Sequence, residues 1–180
     1  MTSEKTSSTT PHTTSHIDKY TIEPDCSEEE FIAVSKVYAR EIVKAYELSV
    51  NVSQLDWEVS RRAKRRAGQV KYTGTEATSV VLTWAYFAEL GWEAMASTIR
   101  HELIHIHLLN ERGDSGHGDA FQKLAKQLDT TVNCELFVEP NWWITCVDCG
   151  LRLPRYRESK LVSSPEKYQC GKCSGDLVVE

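Results

Sequence analysis

The segment His101–His105 carries the residues whose spacing most clearly predicts chemistry. It reads H-E-x-x-H, with two histidines four residues apart and Glu102 beside the first. Residues four apart on a helix lie one turn above each other on the same face, so both imidazoles can bind one metal ion. Zinc is the usual metal in this arrangement. Glu102 lies about 100° around the helix from His101, where it can reach a metal-bound water without ligating the metal.

A third zinc ligand is expected, because a catalytic zinc usually keeps three protein ligands and one open position. The metzincin pattern would require Gly and His where this chain has Leu108 and Glu111, so that class is excluded. His117 is the only histidine downstream of the predicted helix, and it follows a Gly-containing loop. We therefore predict His117 as the third ligand. Asp114 and Asp119 are the alternatives, and either can instead orient a histidine.

Three nitrogen ligands and a neighbouring carboxylate predict peptide-bond hydrolysis. Zinc lowers the pKa of its bound water from about 15.7 to near 7. Glu102 would act as the general base and then pass the proton to the leaving amine. The reaction also requires a donor to the developing oxyanion, and the sequence alone does not identify it. The prediction is a zinc-dependent endopeptidase in which Glu102 assists the attack of zinc-bound water.

The apolar pattern predicts a buried helix from about Trp92 to Asn110, ending near Gly113. The histidine pair falls on roughly the opposite side from the main apolar stripe, and His107 points well away from the pair and is excluded as a ligand. A stripe with helical spacing is formed by Trp92, Met95, Ile99, Leu103 and Ile106.

Elements around this helix follow from local signals. Ser27 and Glu30 form a capping box for a first helix that we expect to run to about Leu48. Residues 55–76 are predicted as a β-hairpin, 79–82 as a short strand and 84–90 as a helix. The short strand is either a core strand or an edge at which an extended peptide docks. Another helix should follow His117, and Val132, Leu136 and Val138 suggest an extended segment.

A second metal site is predicted near the C-terminus, where two C-x-x-C pairs are separated by 20 residues. This spacing is typical of a zinc ribbon, and four thiolates complete the coordination, so the site would be structural. Its ligands would be Cys146, Cys149, Cys170 and Cys173. The remaining cysteines, Cys26 and Cys134, are interpreted as small core residues.

Two clusters suggest contact with nucleic acid, although the chain as a whole has a net charge of −5. The first is a run of five basic residues between the predicted strands, which either contacts phosphates or protects a solvated edge strand. The second combines tryptophans with arginines around the ribbon, where the tryptophans either stack on bases or pack the ribbon onto the rest of the protein. The candidates are Arg61, Arg62, Lys64, Arg65, Arg66, Trp142, Trp143, Arg155 and Arg157.

Composition divides the chain of 180 residues into three parts. Residues 1–25 are predicted as a disordered Ser/Thr-rich tail, 26–140 as the metalloprotease domain and 141–180 as the ribbon. The sequence contains no run of 18 apolar residues, so no membrane span is predicted. The N-terminus lacks the apolar core of a secretory signal. Metal-binding cysteines in such a chain favour an intracellular location, cytoplasmic or DNA-associated, and nuclear in a eukaryote.

The order of these motifs resembles the SprT-like family, whose best-known eukaryotic members are the Spartan DNA-dependent proteases. The resemblance rests on the H-E-x-x-H helix, the downstream H-G-x-x-F beginning at His117, and the four-cysteine ribbon. It implies an α+β zincin-like domain with a small β-sheet, a C-terminal zinc ribbon, one catalytic and one structural Zn²⁺, and proteolysis of DNA–protein crosslinks in DNA repair. It also maps the zinc ligands onto His101, His105 and His117, and the catalytic glutamate onto Glu102.

Two other functions remain open from the sequence. One is a general intracellular zinc peptidase that does not depend on DNA. The other is a DNA-binding zinc protein without catalytic activity. The intact Glu102 argues against the second, because a purely structural site needs no base, and the basic run argues against the first.

Overall fold

The computed structural model describes residues 20–133 and 136–180, which form two compact units that divide between Phe137 and Val138. The chain mixes helices with small sheets and is α+β, as predicted. Most of the predicted tail, and Cys134, lie outside the described residues. The last residues assigned to that tail are described, and there the Tyr20 hydroxyl donates to the Glu41 carboxylate. The segment before the first helix is therefore attached to that helix.

Helix α1 spans Glu28–Ala45, three residues shorter at its C-terminal end than predicted. Its capping prediction is confirmed, because the Ser27 hydroxyl accepts a hydrogen bond from the Glu30 backbone N–H at 3.1 Å. Three glutamates in the first turn, Glu28, Glu29 and Glu30, suit the positive end of the helix dipole. Phe31, Tyr38 and Ile42 are fully buried on one face, which attaches α1 to the core.

The first unit contains a three-stranded sheet of β1 (Asp56–Ser60), β2 (Gly68–Thr73) and β3 (Glu76–Thr83) in the order β1-β3-β2. Strand β3 is parallel to β1 and antiparallel to β2. The predicted hairpin between β1 and β2 is therefore wrong, and so is an edge position for β3. The apolar side chains of β3 favour its central position. The turn between β2 and β3, which contains Gly74 with φ of +62°, is tighter than the loop that joins β1 to β2.

Helix α2 spans Trp84–Arg112 and begins directly after β3. Gly91, with φ 76° and ψ −172°, interrupts it where the sequence predicted a boundary between two helices. The predicted apolar stripe from Trp92 to Ile106 is buried, and Gly113 ends the helix in a left-handed conformation. Within the described residues, no helix combines the length and apolar character needed to cross a membrane.

Helix α3 spans Asp119–Gln127 and buries Phe121 and Ala125. The described residues of the segment predicted as extended, between α3 and Trp142, contain no strand. Thr130 bonds helix α2, with its hydroxyl donating to the Ser97 carbonyl at 2.7 Å. Leu136 is 56% exposed.

The second unit contains β4 (Trp142–Cys146), β5 (Arg152–Arg155), the short helix α4 (Lys160–Ser163) and β6 (Leu177–Val179). Its sheet is antiparallel in the order β5-β4-β6. The buried core is small and includes two of the cysteines: its members are Ile144, Cys146, Cys170 and Leu177. Cys26, in the first unit, is half-buried rather than a core residue.

Candidate metal centre and active site

Three imidazoles converge at one point of the first unit. His101 and His105 lie one turn apart on α2, and His117 lies in the loop before α3. The Nε2 atom of His101 is 3.0 Å from Nε2 of His105 and 3.1 Å from Nε2 of His117. All three rings also contact Phe121, with ring centroids 4.5–4.8 Å apart. The structure therefore brings the three predicted ligands together.

The remaining ring nitrogens of His101 and His105 are held by backbone carbonyls. Nδ1 of His101 lies 2.8 Å from the Thr131 carbonyl oxygen, and Nδ1 of His105 lies 2.6 Å from that of Ser115. A carbonyl only accepts, so each Nδ1 carries the proton and each Nε2 presents a lone pair to the cluster. Burial lowers the pKa of both imidazoles, with neighbouring histidines adding to the effect, and the pKa of His105 falls to about 4.

This donor set fits zinc. Nitrogen ligands at a Zn–N distance of about 2.0–2.1 Å in a tetrahedral site are about 3.3 Å apart, close to the observed Nε2 separations. Unprotonated nitrogens facing one another need a cation between them. Asp114 and Asp119 do not belong to this group of candidate ligands, and Asp114 instead accepts from the Gly116 N–H at 2.9 Å. His107 is also turned away, accepting at Nδ1 from the Ser49 N–H at 3.0 Å.

Glu102 is buried between α2 and strand β2, with 6% of its surface exposed. Burial raises the pKa of Glu102 to about 8, although the Val70 backbone N–H and the charge of Arg66 both act to lower it. The contact is close: a Cβ at Gly68 would lie 2.8 Å from Glu102 Oε1 and 2.7 Å from Thr98 Cγ2. Only a glycine at position 68 lets the strand approach the carboxyl group at this distance.

A cavity of about 140 Å³ opens beside His101, His117 and Glu102. Its other walls come from the start of β2, from α2 and from the segment after α3. Among its lining residues are Arg66, Gly68, Tyr86, Thr131 and Val132. Two histidines, a buried glutamate and an arginine therefore border one small space.

The predicted basic run is an exposed loop between β1 and β2, which are the two edge strands of the sheet. Arg61 is exposed but makes intramolecular contacts. Its Nε lies 2.5 Å from Glu28 Oε1, and its guanidinium lies 4.8 Å from the centre of the Trp84 ring. The middle of the run points into solvent, with Arg62, Lys64 and Arg65 all exposed. Arg66 is exposed as well, and it also borders the cavity. The five residues do not form one uniform patch.

In the second unit the four predicted cysteines come together. The Sγ atoms of Cys146 and Cys173 are 3.5 Å apart, and those of Cys149 and Cys170 are 3.7 Å apart. Thiolates around a tetrahedral zinc at about 2.3 Å are about 3.8 Å apart, so this set is compatible with zinc. The Lys172 N–H lies 3.4 Å from Cys170 Sγ, and this hydrogen bond is the main reason that the pKa of Cys170 falls to about 7.

The candidate nucleic-acid residues of this unit occupy different environments. Trp142 and Trp143 are half-buried neighbours on β4. The Arg152 guanidinium lies 4.5 Å from the centre of the Trp143 ring and pairs with Glu180 at 2.9 Å. Of the predicted arginines, Arg155 is half-buried on β5 and Arg157 is exposed.

The sequence did not reveal the groups that orient the site. The carbonyls of Ser115 and Thr131 have no residue-type signal, because any residue supplies a carbonyl. Gly68 sits at the first position of β2 against Glu102. Its proximity to Glu102 depends on strand pairing, which the sequence pattern did not specify.

Comparison with known proteins identifies the family. The SprT-like family model matches residues 32–139. A protein named SprT-like from Bacillus thuringiensis subsp. konkukian is 27% identical over 107 residues, covering 56% of this chain and 68% of that protein. A SprT-like protein from Streptococcus suis is 33% identical over 99 residues, covering 53% of this chain and 66% of the relative. The chain thus spans about two thirds of these relatives. Because the family model matches more than half of the residues of this chain, the chain belongs to the SprT-like family.

Proposed function

We propose that this protein is a zinc-dependent endopeptidase that cleaves proteins associated with or crosslinked to DNA, in DNA repair. The observation that carries the peptidase assignment is the convergence of three imidazoles beside the buried carboxyl group of Glu102, with Nε2 of His101 lying 3.0 Å from that of His105 and 3.1 Å from that of His117. A site that only stabilised the fold would have no use for a buried acid at the open side of its metal ligands.

His101, His105 and His117 would hold the catalytic zinc. When bound there, zinc acts as a Lewis acid that polarises a carbonyl group and lowers the pKa of water. Glu102 accepts the proton of the attacking water and delivers it to the leaving amine. The carboxyl group of Glu102 is buried and borders the same cavity as His101 and His117, a position from which a general base can act on the attacking water.

Cys146, Cys149, Cys170 and Cys173 would hold a second zinc that has a structural role in a zinc ribbon. Four thiolates leave no position for substrate. The apolar core of this unit is small, so the free energy of metal binding would supply much of its folding free energy.

DNA association is supported by the exposed cations Arg62, Lys64 and Arg65, which project from an otherwise acidic chain. Exposed lysines and arginines contribute to DNA affinity by releasing the counterions condensed on phosphates. The resemblance to the Spartan DNA-dependent proteases points to the same partner and to crosslinked proteins as substrates.

The test is cleavage of a DNA-binding protein by the purified zinc-containing protein, with and without DNA. The Glu102→Gln variant removes the base while keeping the side-chain shape. Glu93→Gln changes an exposed glutamate on the same helix and serves as the matched control. Cleavage that requires both Glu102 and DNA is the expected result.

Other outcomes distinguish the alternatives. Cleavage that requires Glu102 but is indifferent to DNA would indicate a general zinc peptidase. Absence of cleavage together with retained DNA binding would indicate a DNA-binding zinc protein without catalytic activity. Unimpaired cleavage by Glu102→Gln would contradict the proposed role of that carboxyl group.

A further inference from the structure

The last arginine of the basic loop, Arg66, is exposed like its neighbours but differs from them in what it borders. Arg61 is engaged by Glu28 and Trp84, and the middle of the loop faces solvent. Arg66 borders the same cavity as His101, Glu102 and His117. Its charge also acts on the Glu102 carboxyl group. The position of Arg66 therefore suits a role at the reacting centre, which is different from contact with phosphates.

The backbone at Arg66 is fixed, although the preceding loop is exposed. The Thr83 hydroxyl donates to the Arg66 carbonyl at 2.8 Å, and the Thr83 N–H donates to the Ala67 carbonyl at 2.8 Å. Thr83 is buried at the junction between β3 and α2, the helix that carries the histidines. Two hydrogen bonds thus tie the Arg66 main chain to the scaffold of the site, which restricts where its side chain can reach.

Peptide hydrolysis needs a donor for the negative charge that develops on the substrate carbonyl oxygen. Among the described residues that line the cavity, Arg66 is the one with a permanent positive charge. Three of the lining hydroxyls already donate elsewhere: Thr98 to the Ala94 carbonyl at 3.1 Å, Thr130 to the Ser97 carbonyl at 2.7 Å and Thr131 to the Asn133 carbonyl at 3.1 Å. A guanidinium carries five N–H donors and remains protonated at every working pH.

We propose that Arg66 is a catalytic residue whose guanidinium donates hydrogen bonds to the substrate carbonyl oxygen as that oxygen becomes negative. This inference rests on the proposed peptidase function and adds the donor that the sequence alone did not identify. It removes Arg66 from the group of phosphate contacts. The interaction strengthens as charge develops, so it acts mainly on the transition state.

The decisive experiment compares Arg66→Gln and Arg66→Lys with two controls. Arg40→Gln changes an exposed arginine on α1, outside the cavity lining, and Arg65→Gln reports phosphate contact by the exposed part of the loop. Cleavage is measured at saturating DNA, together with zinc content, thermal unfolding and the salt dependence of DNA binding. We expect Arg66→Gln to lower kcat and kcat/KM together by about 10²–10³-fold, with partial recovery in Arg66→Lys. Arg40→Gln should match the parent.

A binding measurement provides a second readout that does not require turnover. A phosphinic peptide carries a charged tetrahedral oxygen like that of the transition state, and its affinity for the zinc-containing protein should fall by a similar factor in Arg66→Gln. The affinity for the corresponding uncleaved peptide, measured in the Glu102→Gln background, should change little.

Several results would overturn the inference. An unchanged kcat, or a raised KM with unchanged kcat, would assign Arg66 to substrate binding at most. A loss of DNA affinity like that of Arg65→Gln, with parental kcat and phosphinic-peptide affinity, would return it to the phosphate contacts. If the parent protein neither cleaves nor binds the phosphinic peptide, the proposed peptidase function itself fails. These outcomes separate failure of the Arg66 role from failure of the function.

Discussion

Replacing Gly68 by alanine tests whether strand β2 positions the catalytic carboxyl group. A Cβ at this position would meet Glu102 Oε1 at 2.8 Å, Glu102 Cγ at 3.1 Å and Thr98 Cγ2 at 2.7 Å. Ordinary van der Waals contacts begin at 3.4 Å. Position 68 lies at the start of a regular strand and does not require the left-handed conformation, so the added methyl group acts through space alone.

The size of the effect follows from how far the contacts of the added Cβ fall short of normal van der Waals distances. Either Glu102 and Thr98 or the strand must move by about 0.6 Å or more to restore normal contact. Inserting one methyl group into a packed site costs about 1–3 kcal/mol of stability. A displacement approaching 1 Å in a catalytic group costs about 10²-fold in rate. We therefore expect Gly68→Ala to lower kcat about 10–100-fold at unchanged zinc content.

The assay is steady-state proteolysis combined with zinc analysis and thermal unfolding. Gly118→Ala is the matched control, because Gly118 also neighbours a site residue but its added Cβ would meet nothing within 4 Å. The control should retain parental kcat. A Gly68→Ala protein with parental kcat and full zinc content would refute the idea that β2 presses against and positions Glu102.

Further predictions concern the core, the basic loop and the second unit. Tyr38→Phe should lower the free energy of unfolding, measured with denaturant, by about 1–3 kcal/mol, because the buried Arg100 guanidinium loses its 2.5 Å hydrogen bond to the Tyr38 hydroxyl. A decrease below about 0.5 kcal/mol would contradict this. Changing Arg62, Lys64 and Arg65 together to Gln should weaken DNA binding and flatten its log–log salt slope by about 0.9 for each lost phosphate contact; an unchanged slope in a titration would exclude the loop from the interface. Removing zinc with a chelator should abolish hydrogen-exchange protection in residues 138–180, and retained protection would show that this unit folds without metal.

The local parts of this protein were determined by its sequence. The capping box at Ser27, the apolar stripe of α2, the interruption at Gly91 and the stop at Gly113 depend on residues within a few turns of each other. The histidine pair and both C-x-x-C pairs are likewise local patterns whose spacing predicts convergence on a metal. His117 was predicted from its residue type and from its position after a Gly-containing loop, and it joins the other two histidines.

Tertiary structure decided what depends on residues far apart in sequence. Periodicity identifies a strand but not its partner, so the central position of β3 and the contact of β2 with Glu102 followed only from the sheet order. Residue type identifies a basic run but not its surroundings, so the separation of Arg61 from Arg66 required the positions of Trp84 and the cavity. The carbonyls that orient the histidines belong to this second group as well. The sequence determined which groups are present, whereas long-range packing decided which of them meet.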